Sequence, residues 1–203
     1  MRRPKIYLAG PDIFLPNAVE IARVKNQLTT EAGFLPLNPM DNNLGKPPEL
    51  RADRERFADL IFQADFEMIY ECDAIIANLT PFRGVSADVG TAAAVGMGIM
   101  GGKKIFGYTN DFRDYSIRVL HESEGPIRDD GEWLDARGWL IERFGLTDNI
   151  MIDRGVRRSG GYDVYRTDGS FDYLTGFKVC LGYARYVLLA EATAPRGAHG
   201  EVS

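Results

Sequence analysis

Six consecutive residues without polar alternation most constrain what this chain can fold into. The run Ala74-Ile75-Ile76-Ala77-Asn78-Leu79 is the pattern of a strand that is buried on both faces. Other strand-like runs, Lys5–Gly10, Phe34–Leu37 and Lys104–Tyr108, alternate with helical patterns along the chain. Because a buried parallel sheet needs helices on both faces, this alternation predicts an α/β fold.

The helices are predicted from apolar periodicity and from turn residues at their ends. They are expected at about Pro16 to Ala32, at about Arg51 to Tyr70, directly after Asp88, and from Phe171 or Asp172 to Ala192. The charged, glycine-containing stretch from Thr109 to about Gly145 is expected to form a solvated excursion or flap. Residues 1–192 are interpreted as one domain and residues 193–203 as a flexible tail.

Composition excludes several classes of function. A net charge of -5 without a basic stripe argues against binding to a nucleic-acid backbone. No metal site is expected, because His121 and His199 have no partner at ligand spacing. Cys72 and Cys180 are interpreted as reduced, buried thiols. We expect no signal peptide and no membrane segment, and therefore a cytoplasmic protein.

A loop rich in glycine and serine, Pro81 to Asp88, runs directly into a helix of small residues. Asp88 is predicted at the helix N-cap, where its carboxylate accepts backbone N–H bonds, and it is more often only a cap in such a position. Ser86 and Gly90 beside it are candidate substrate-binding residues. One strip of the helix comprises Gly90, Thr91, Ala94 and Gly98, and a second strip, predicted to pack on the sheet, comprises Val89, Ala93, Gly96 and Met100. The first strip fits a close helix–sheet contact and a ligand floor equally well.

Four residues elsewhere are candidates for the same site. Asp12 and Phe14 follow the first strand at its carboxyl end, where open α/β sheets bind ligands. Phe14 fits a core residue or a ring that stacks on a planar base. Tyr7 lies within the strand itself, where a half-buried structural role is the commoner one. Asp65 interrupts the apolar stripe of its helix, so it either faces a pocket or lies at the polar edge of the stripe.

Four segments together resemble the nucleoside 2-deoxyribosyltransferase family. They are Ile6–Pro16, Cys72–Leu79, Pro81–Ala92 and Phe144–Met151, in the order in which the family has them. The resemblance implies a flavodoxin-like, doubly wound sheet of about five mainly parallel strands with helices on both faces. It also implies that nucleobases are exchanged on 2-deoxyribose by a ping-pong reaction without metal or cofactor, with 2′-deoxyribonucleosides and free purine or pyrimidine bases as partners.

The resemblance implies a role for several of these residues. Asp65 would supply or relay a proton to the leaving base, and Asp88 would hold the deoxyribose. Tyr7 would orient the nucleophile, a glutamate that attacks C1′ and forms a deoxyribosyl ester. Asn149 would reach into the site of a neighbouring subunit, which implies a homo-oligomer of two or more chains.

The chain departs from the family at the nucleophile. Six residues beyond Asp88, where the family has its glutamate, this sequence has Ala94. A methyl group cannot attack C1′, and losing a nucleophile typically costs on the order of 10⁴–10⁶ in turnover. The chain is therefore expected to bind deoxynucleosides and scarcely to turn them over. We interpret the departure as a deliberate nucleophile knockout, of the kind made to hold an intact substrate, and a naturally degenerate relative that only binds nucleosides is the alternative.

Two other functions stay open at this point. A 2′-deoxynucleoside 5′-monophosphate N-glycosidase would use a related fold and would need a phosphate pocket, to which Arg83 and Ser86 could contribute. A nucleoside-binding protein without chemistry would bind its ligand and gain no activity from a glutamate at position 94.

Overall fold

The computed structural model describes residues 2–41, 53–123, 131–160 and 162–191. The strands are β1 (Lys5–Ala9), β2 (Leu35–Leu37), β3 (Ala74–Asn78), β4 (Lys104–Thr109) and β5 (Tyr165–Arg166). The helices are α1 (Ala18–Glu31), α2 (Arg54–Glu71), α3 (Val89–Met100), α4 (Tyr115–Glu122), α5 (Ile150–Arg158) and α6 (Thr175–Glu191). Two short 3₁₀ turns, Pro11–Phe14 and Pro39–Asp41, follow β1 and β2.

The five strands form one sheet in the order β2-β1-β3-β4-β5, with every neighbouring pair parallel. This order is that of a doubly wound, flavodoxin-like sheet, so the predicted fold class is confirmed. Strand β3 lies in the middle and all five of its residues are buried, as its apolar run Ala74–Ala77 without polar alternation predicts. No helix in the described part of the chain is long and apolar enough to cross a membrane.

Two separate clusters of buried side chains cover the two faces of the sheet. Helices α2, α3 and α5 pack over one face, and Tyr7, Ile75 and Ala94 belong to its cluster. Helices α1 and α6 pack over the other face, around side chains such as Phe106 and Phe177. The alternation of side chains along each strand divides β1 between the clusters, since Ile6 faces one and Tyr7 the other.

Some predicted boundaries were wrong for local reasons. Helix α6 begins at Thr175 rather than near Phe171, because the Asn110 side chain donates to the carbonyls of Ser170, Phe171 and Tyr173 and holds that segment as a turn. The charged excursion after β4 is also more ordered than predicted, since it contains α4. The buried thiols were predicted correctly for both cysteines, which are free. Ala192 and the predicted tail lie outside the described residues.

The prediction for the packing face of α3 was wrong. Val89 and Met100 were expected to pack on the sheet, but they are 85% and 88% exposed. The strip that contains Ala94 and Gly98 is buried instead. A Cβ atom at Gly98 would lie only 2.5 Å from Ile75 Cδ1, so the absent side chain is what allows the helix to approach β3 this closely.

The two glycines on opposite faces of α3 provide a matched test of this packing. Gly98→Ala is expected to destabilise the fold by about 1–3 kcal/mol, because its methyl group would overlap Ile75 and Ile105. Gly96→Ala, which would meet nothing within 4 Å, is expected to stabilise it by about 0.5–1 kcal/mol through helix propensity. Urea unfolding of the two variants measures both effects, and equal free energies of unfolding would contradict the assigned face.

Candidate active site

Two of the residues assigned to catalysis, Tyr7 and Ala94, share one buried cluster, and the charge of a third, Asp65, acts on Tyr7. Tyr7 is 4% exposed and Ala94 is 6% exposed, and both belong to one buried cluster. Asp65 extends from α2 towards this cluster. Burial raises the pKa of Tyr7, and the nearby charge of Asp65 raises it further. The structure therefore brings together Tyr7 and two of the residues assigned to catalysis, Asp65 and Ala94.

Asp65 carries an unsatisfied buried atom. Its Oδ1 is buried without a hydrogen-bond partner among the described residues. Burial raises the pKa of this carboxyl from its ordinary value of 3.8 to about 6. A carboxyl with a pKa near 6 holds its proton over a larger part of the neutral range than an exposed aspartate does, so it is suited to protonating a leaving group.

Asp88 is the N-cap of α3, as the sequence predicts. Its Oδ2 accepts from the Thr91 backbone N–H at 2.9 Å and from the Thr91 hydroxyl at 3.1 Å. A Cβ atom at Gly90 would lie 3.1 Å from the same oxygen, so a small residue there leaves room for the cap. The cap therefore holds Asp88 through one carboxylate oxygen, Oδ2.

Ser86 and Asn149 are connected through Asp148, whose Oδ1 accepts hydrogen bonds from both residues. The Ser86 hydroxyl donates to Asp148 Oδ1 at 2.8 Å, and Asp148 directly precedes Asn149. Asn149 caps α5, because its Oδ1 accepts from the Met151 N–H at 3.0 Å. Its Nδ2 donates to Glu142 Oε1 at 2.9 Å. If the Asn149 side chain extended into a neighbouring subunit, it would have to give up these two hydrogen bonds.

Asp12 belongs to a buried polar network behind the site. Its Oδ2 accepts from Lys25 Nζ at 2.5 Å, and its Oδ1 accepts from Asn78 Nδ2 at 3.1 Å. Lys25 also donates to the Tyr108 hydroxyl at 2.9 Å. Burial, with the Asp12 charge next in importance, raises the pKa of Tyr108 well above its usual value. These contacts fix the turn after β1 to β3 and β4.

Phe14 lies in the turn after β1, and its ring contacts the loop before α3. It is 51% exposed, and its ring stacks on Phe82 with the centroids 5.4 Å apart. The Arg83 guanidinium lies over both rings, at 5.1 Å from Phe14 and 4.8 Å from Phe82. Arg83 has a positive φ of 56°, which is uncommon for a residue other than glycine. The exposed part of Phe14 leaves it accessible to a planar ligand.

Sequence reasoning missed three residues that hold the site together. Asp148 and Arg118 are buried in contact with the loop before α3, and Lys25 is buried beside Asp12. The helical spacing of α1 could have indicated that Lys25 is buried, because Lys25 lies four residues beyond Ile21 on the buried side of that helix. No sequence signal marked Arg118, since it lies within the charged excursion. The described residues contain no group of His, Cys, Asp and Glu side chains arranged to hold a metal ion.

The fold and the site define an α/β protein whose candidate site lies at the carboxyl edge of a doubly wound parallel sheet, with carboxylates from two helices and a tyrosine from β1. Residues 6–151 match the nucleoside 2-deoxyribosyltransferase family, and the chain therefore belongs to that family. The match spans β1 to the first residues of α5, and so includes every predicted site residue.

The chain is also similar to individual proteins and solved structures. Uncharacterized protein C191.05c of Schizosaccharomyces pombe is 30% identical over 170 residues, which cover 78% of this chain and 80% of the relative. The solved structure of a 2-desoxiribosyltransferase from Leishmania mexicana is 28% identical, with a TM-score of 0.63, and the match covers 91% of this chain and 98% of that one. A conserved protein from Enterococcus faecalis V583, 15% identical with a TM-score of 0.53, covers 89% of this chain and 98% of its own length and supports the fold alone.

The raised pKa of Asp65 predicts how stability depends on pH. Between about pH 4 and pH 6 the folded chain holds a proton on Asp65 that the unfolded chain has released, so this residue lowers stability as pH rises through that window. Asp65→Asn should remove this contribution and raise the urea midpoint at pH 7 more than at pH 4. Asp59→Asn, an exposed position on the same helix, is the control. An equal response of the two variants at both pH values would contradict the assigned burial.

Proposed function

We propose that the chain binds 2′-deoxyribonucleosides in the site of a base-exchange transferase, and that Ala94 occupies the position of the nucleophile. The observation that carries the proposal is Asp65, whose Oδ1 is buried without a partner beside Tyr7, in a chain that belongs to this family. An unpartnered buried carboxyl is costly unless a ligand completes its hydrogen bonds. A nucleobase ring nitrogen that is being protonated would complete them.

The proposed chemistry divides between the two carboxylates of the site. Asp88 holds the deoxyribose, and Asp65 gives a proton to the departing base. In the transferase a glutamate carboxylate attacks C1′ as the bond from C1′ to the base breaks, which leaves a deoxyribosyl ester. A second base then attacks C1′ from the other face and releases the carboxylate, so the configuration is retained.

Ala94 removes the first of these steps from this chain. Its methyl group is buried against the cluster that contains Tyr7, and it has no lone pair to offer C1′. The proposed activity of the chain as it stands is therefore binding with little turnover. The whole constellation of Tyr7, Asp65, Asp88 and Asn149 is present, which favours an inactivated transferase over a protein that evolved only to bind.

The contacts of Ser86 and Asp88 favour a nucleoside over a nucleoside 5′-monophosphate. The Ser86 hydroxyl, a candidate phosphate ligand, donates instead to the carboxylate of Asp148. The N-terminus of α3 is capped by the carboxylate of Asp88. The Asp88 carboxylate at the N-terminus of α3 would repel a phosphate there. The N-glycosidase alternative therefore has less support.

A homo-oligomer is the proposed working unit. The outward strip of α3 exposes Val89 and Met100 almost completely, and the neighbouring α2 exposes a stacked pair, Phe62 and Phe66, with ring centroids 6.0 Å apart. Apolar side chains grouped on adjacent helices are a feature of protein–protein interfaces. Asn149 would then complete a neighbouring site.

Restoring a carboxylate at position 94 tests the catalytic proposal. Ala94→Glu is expected to convert 2′-deoxyinosine plus adenine, or thymidine plus adenine, to 2′-deoxyadenosine with turnover on the order of 10⁴–10⁶ above the parent chain. Ala94→Gln has nearly the same shape and no nucleophile, so it should stay inactive. Liquid chromatography of the nucleosides measures the exchange, and calorimetric titration measures binding of 2′-deoxyinosine to the parent.

Each other outcome points to one alternative. Release of free deoxyribose by Ala94→Glu without exchange, above all from a 5′-monophosphate, would support the N-glycosidase. Binding by all three proteins with exchange by none would support a protein that only binds nucleosides.

The assembly proposal has its own measurement. Sedimentation velocity should give a mass of two or more chains for the parent. Val89→Glu together with Met100→Glu should lower that mass, because two charges would be buried in the interface. A monomeric parent would contradict the proposed assembly.

A further inference from the structure

We propose that Asp148 and Arg118 form a clamp that positions the loop from Pro81 to Asp88 for ligand binding; for its ligand, the proposal rests on the function proposed above. The clamp brings together three separate parts of the chain: the loop itself, α4, and the segment before α5. Neither residue is assigned to the chemistry, so both would act by positioning the loop.

Asp148 grips the end of the loop with both of its oxygens. Its side chain is fully buried, and its Oδ2 accepts from the Ala87 backbone N–H at 2.7 Å. Its Oδ1 accepts from the Ser86 hydroxyl at 2.8 Å and from the Asn149 N–H at 2.7 Å. Ala87 directly precedes Asp88, so the position of the α3 N-cap depends on this carboxylate.

Arg118 holds the same loop through a backbone carbonyl. Its side chain is only 3% exposed, and Nε donates to the Val85 carbonyl at 2.8 Å. Its other nitrogens donate to the carbonyls of Arg113, at 2.7 Å, and Thr147. One of them lies 3.9 Å from Asp148 Oδ2, so the guanidinium balances the buried carboxylate as well as bonding to the backbone. The planar guanidinium can serve these carbonyls at once, which a lysine cannot do.

The tip of the loop is held by contacts of another kind, because Phe82 packs against the rings of Phe14 and Phe171. Phe82 N–H donates to the Ser86 carbonyl at 3.0 Å, which closes a turn, and Arg83 at its tip has a positive φ. The clamp bonds to the three consecutive residues Val85, Ser86 and Ala87. It therefore fixes the side of the loop that leads to Asp88 and leaves the tip beside Phe14. A shift of the loop by about 1 Å would misplace Asp88, and misplacement on that scale can cost about 10²-fold in catalysis.

The test compares the clamp with an ion pair that lies outside the site. Asp148→Asn keeps the size of the side chain and replaces one acceptor with an NH₂ donor that faces N–H or O–H groups. Asp163→Asn is the control, since Asp163 pairs with Arg157 at 3.4 Å with both side chains largely exposed. The measurements are calorimetric titration with 2′-deoxyinosine and amide hydrogen exchange over residues 81–91. In the Ala94→Glu background, KM and kcat are measured separately.

We expect Asp148→Asn to weaken binding of 2′-deoxyinosine by about 10- to 100-fold and to speed exchange of the Ala87 and Asp88 amides. In the Ala94→Glu background it should raise KM and lower kcat. The Asp163→Asn control should change none of these quantities. Arg118→Lys keeps the charge and loses bonds to the carbonyls, so it should give a smaller change in the same direction.

A lower melting temperature for Asp148→Asn with the affinity and loop exchange of the control would overturn the clamp and leave a purely structural role. If Asp148→Asn does not fold, Arg118→Lys decides the question by the same two measurements. If the parent chain binds neither 2′-deoxyinosine nor thymidine, the proposed function fails. Loop exchange then still decides whether the clamp exists, because it requires no ligand.

Discussion

The close contact between α3 and the sheet determines where the parts of the candidate site lie. Gly98 has no side chain, and the helix therefore approaches Ile75 and Ile105 more closely than any larger residue would allow. Ala94, one turn earlier on the same face, is brought against the cluster that contains Tyr7. The N-terminus of the helix then lies at the carboxyl edge of the sheet, with Asp88 as its cap. A helix that lay further from the sheet would separate Asp88 and position 94 from Tyr7.

Buried charges hold the loops that this helix contact leaves undetermined. Lys25 pairs with Asp12 beneath the turn after β1, and Arg118 lies beside Asp148 beneath the loop before α3. Ion pairs of this kind contribute little net stability, because both charges lose their hydration. They do require one particular geometry, since an unpaired charge at either position would be costly. Both pairs lie at the carboxyl edge of the sheet, where a ligand needs fixed partners.

Asp65 differs from these pairs because its buried oxygen has no partner among the described residues. The fold therefore buries one carboxyl oxygen at a cost in stability. The raised pKa of Asp65 is the physical consequence of this burial. Such a group is typical of a site that binds a ligand. Under the proposed function, Ala94 occupies the place of the nucleophile without disturbing the fold, because its methyl group is buried in the packing of α3 on the sheet.

The sequence by itself determined the fold class, the order of the helices and strands from β1 to β4, and the segments on which the candidate site residues lie, but it did not predict α4, α5 or β5. This was possible because the apolar run of β3, and the alternation of strand-like and helical patterns around it, are local features of the sequence. The tertiary structure alone decided which strip of α3 is buried, because strips of small residues and of larger apolar residues both suit packing until the distance to Ile75 is known. It alone revealed Arg118 and Asp148 as partners, since residues 30 positions apart in the sequence become neighbours only when the chain folds.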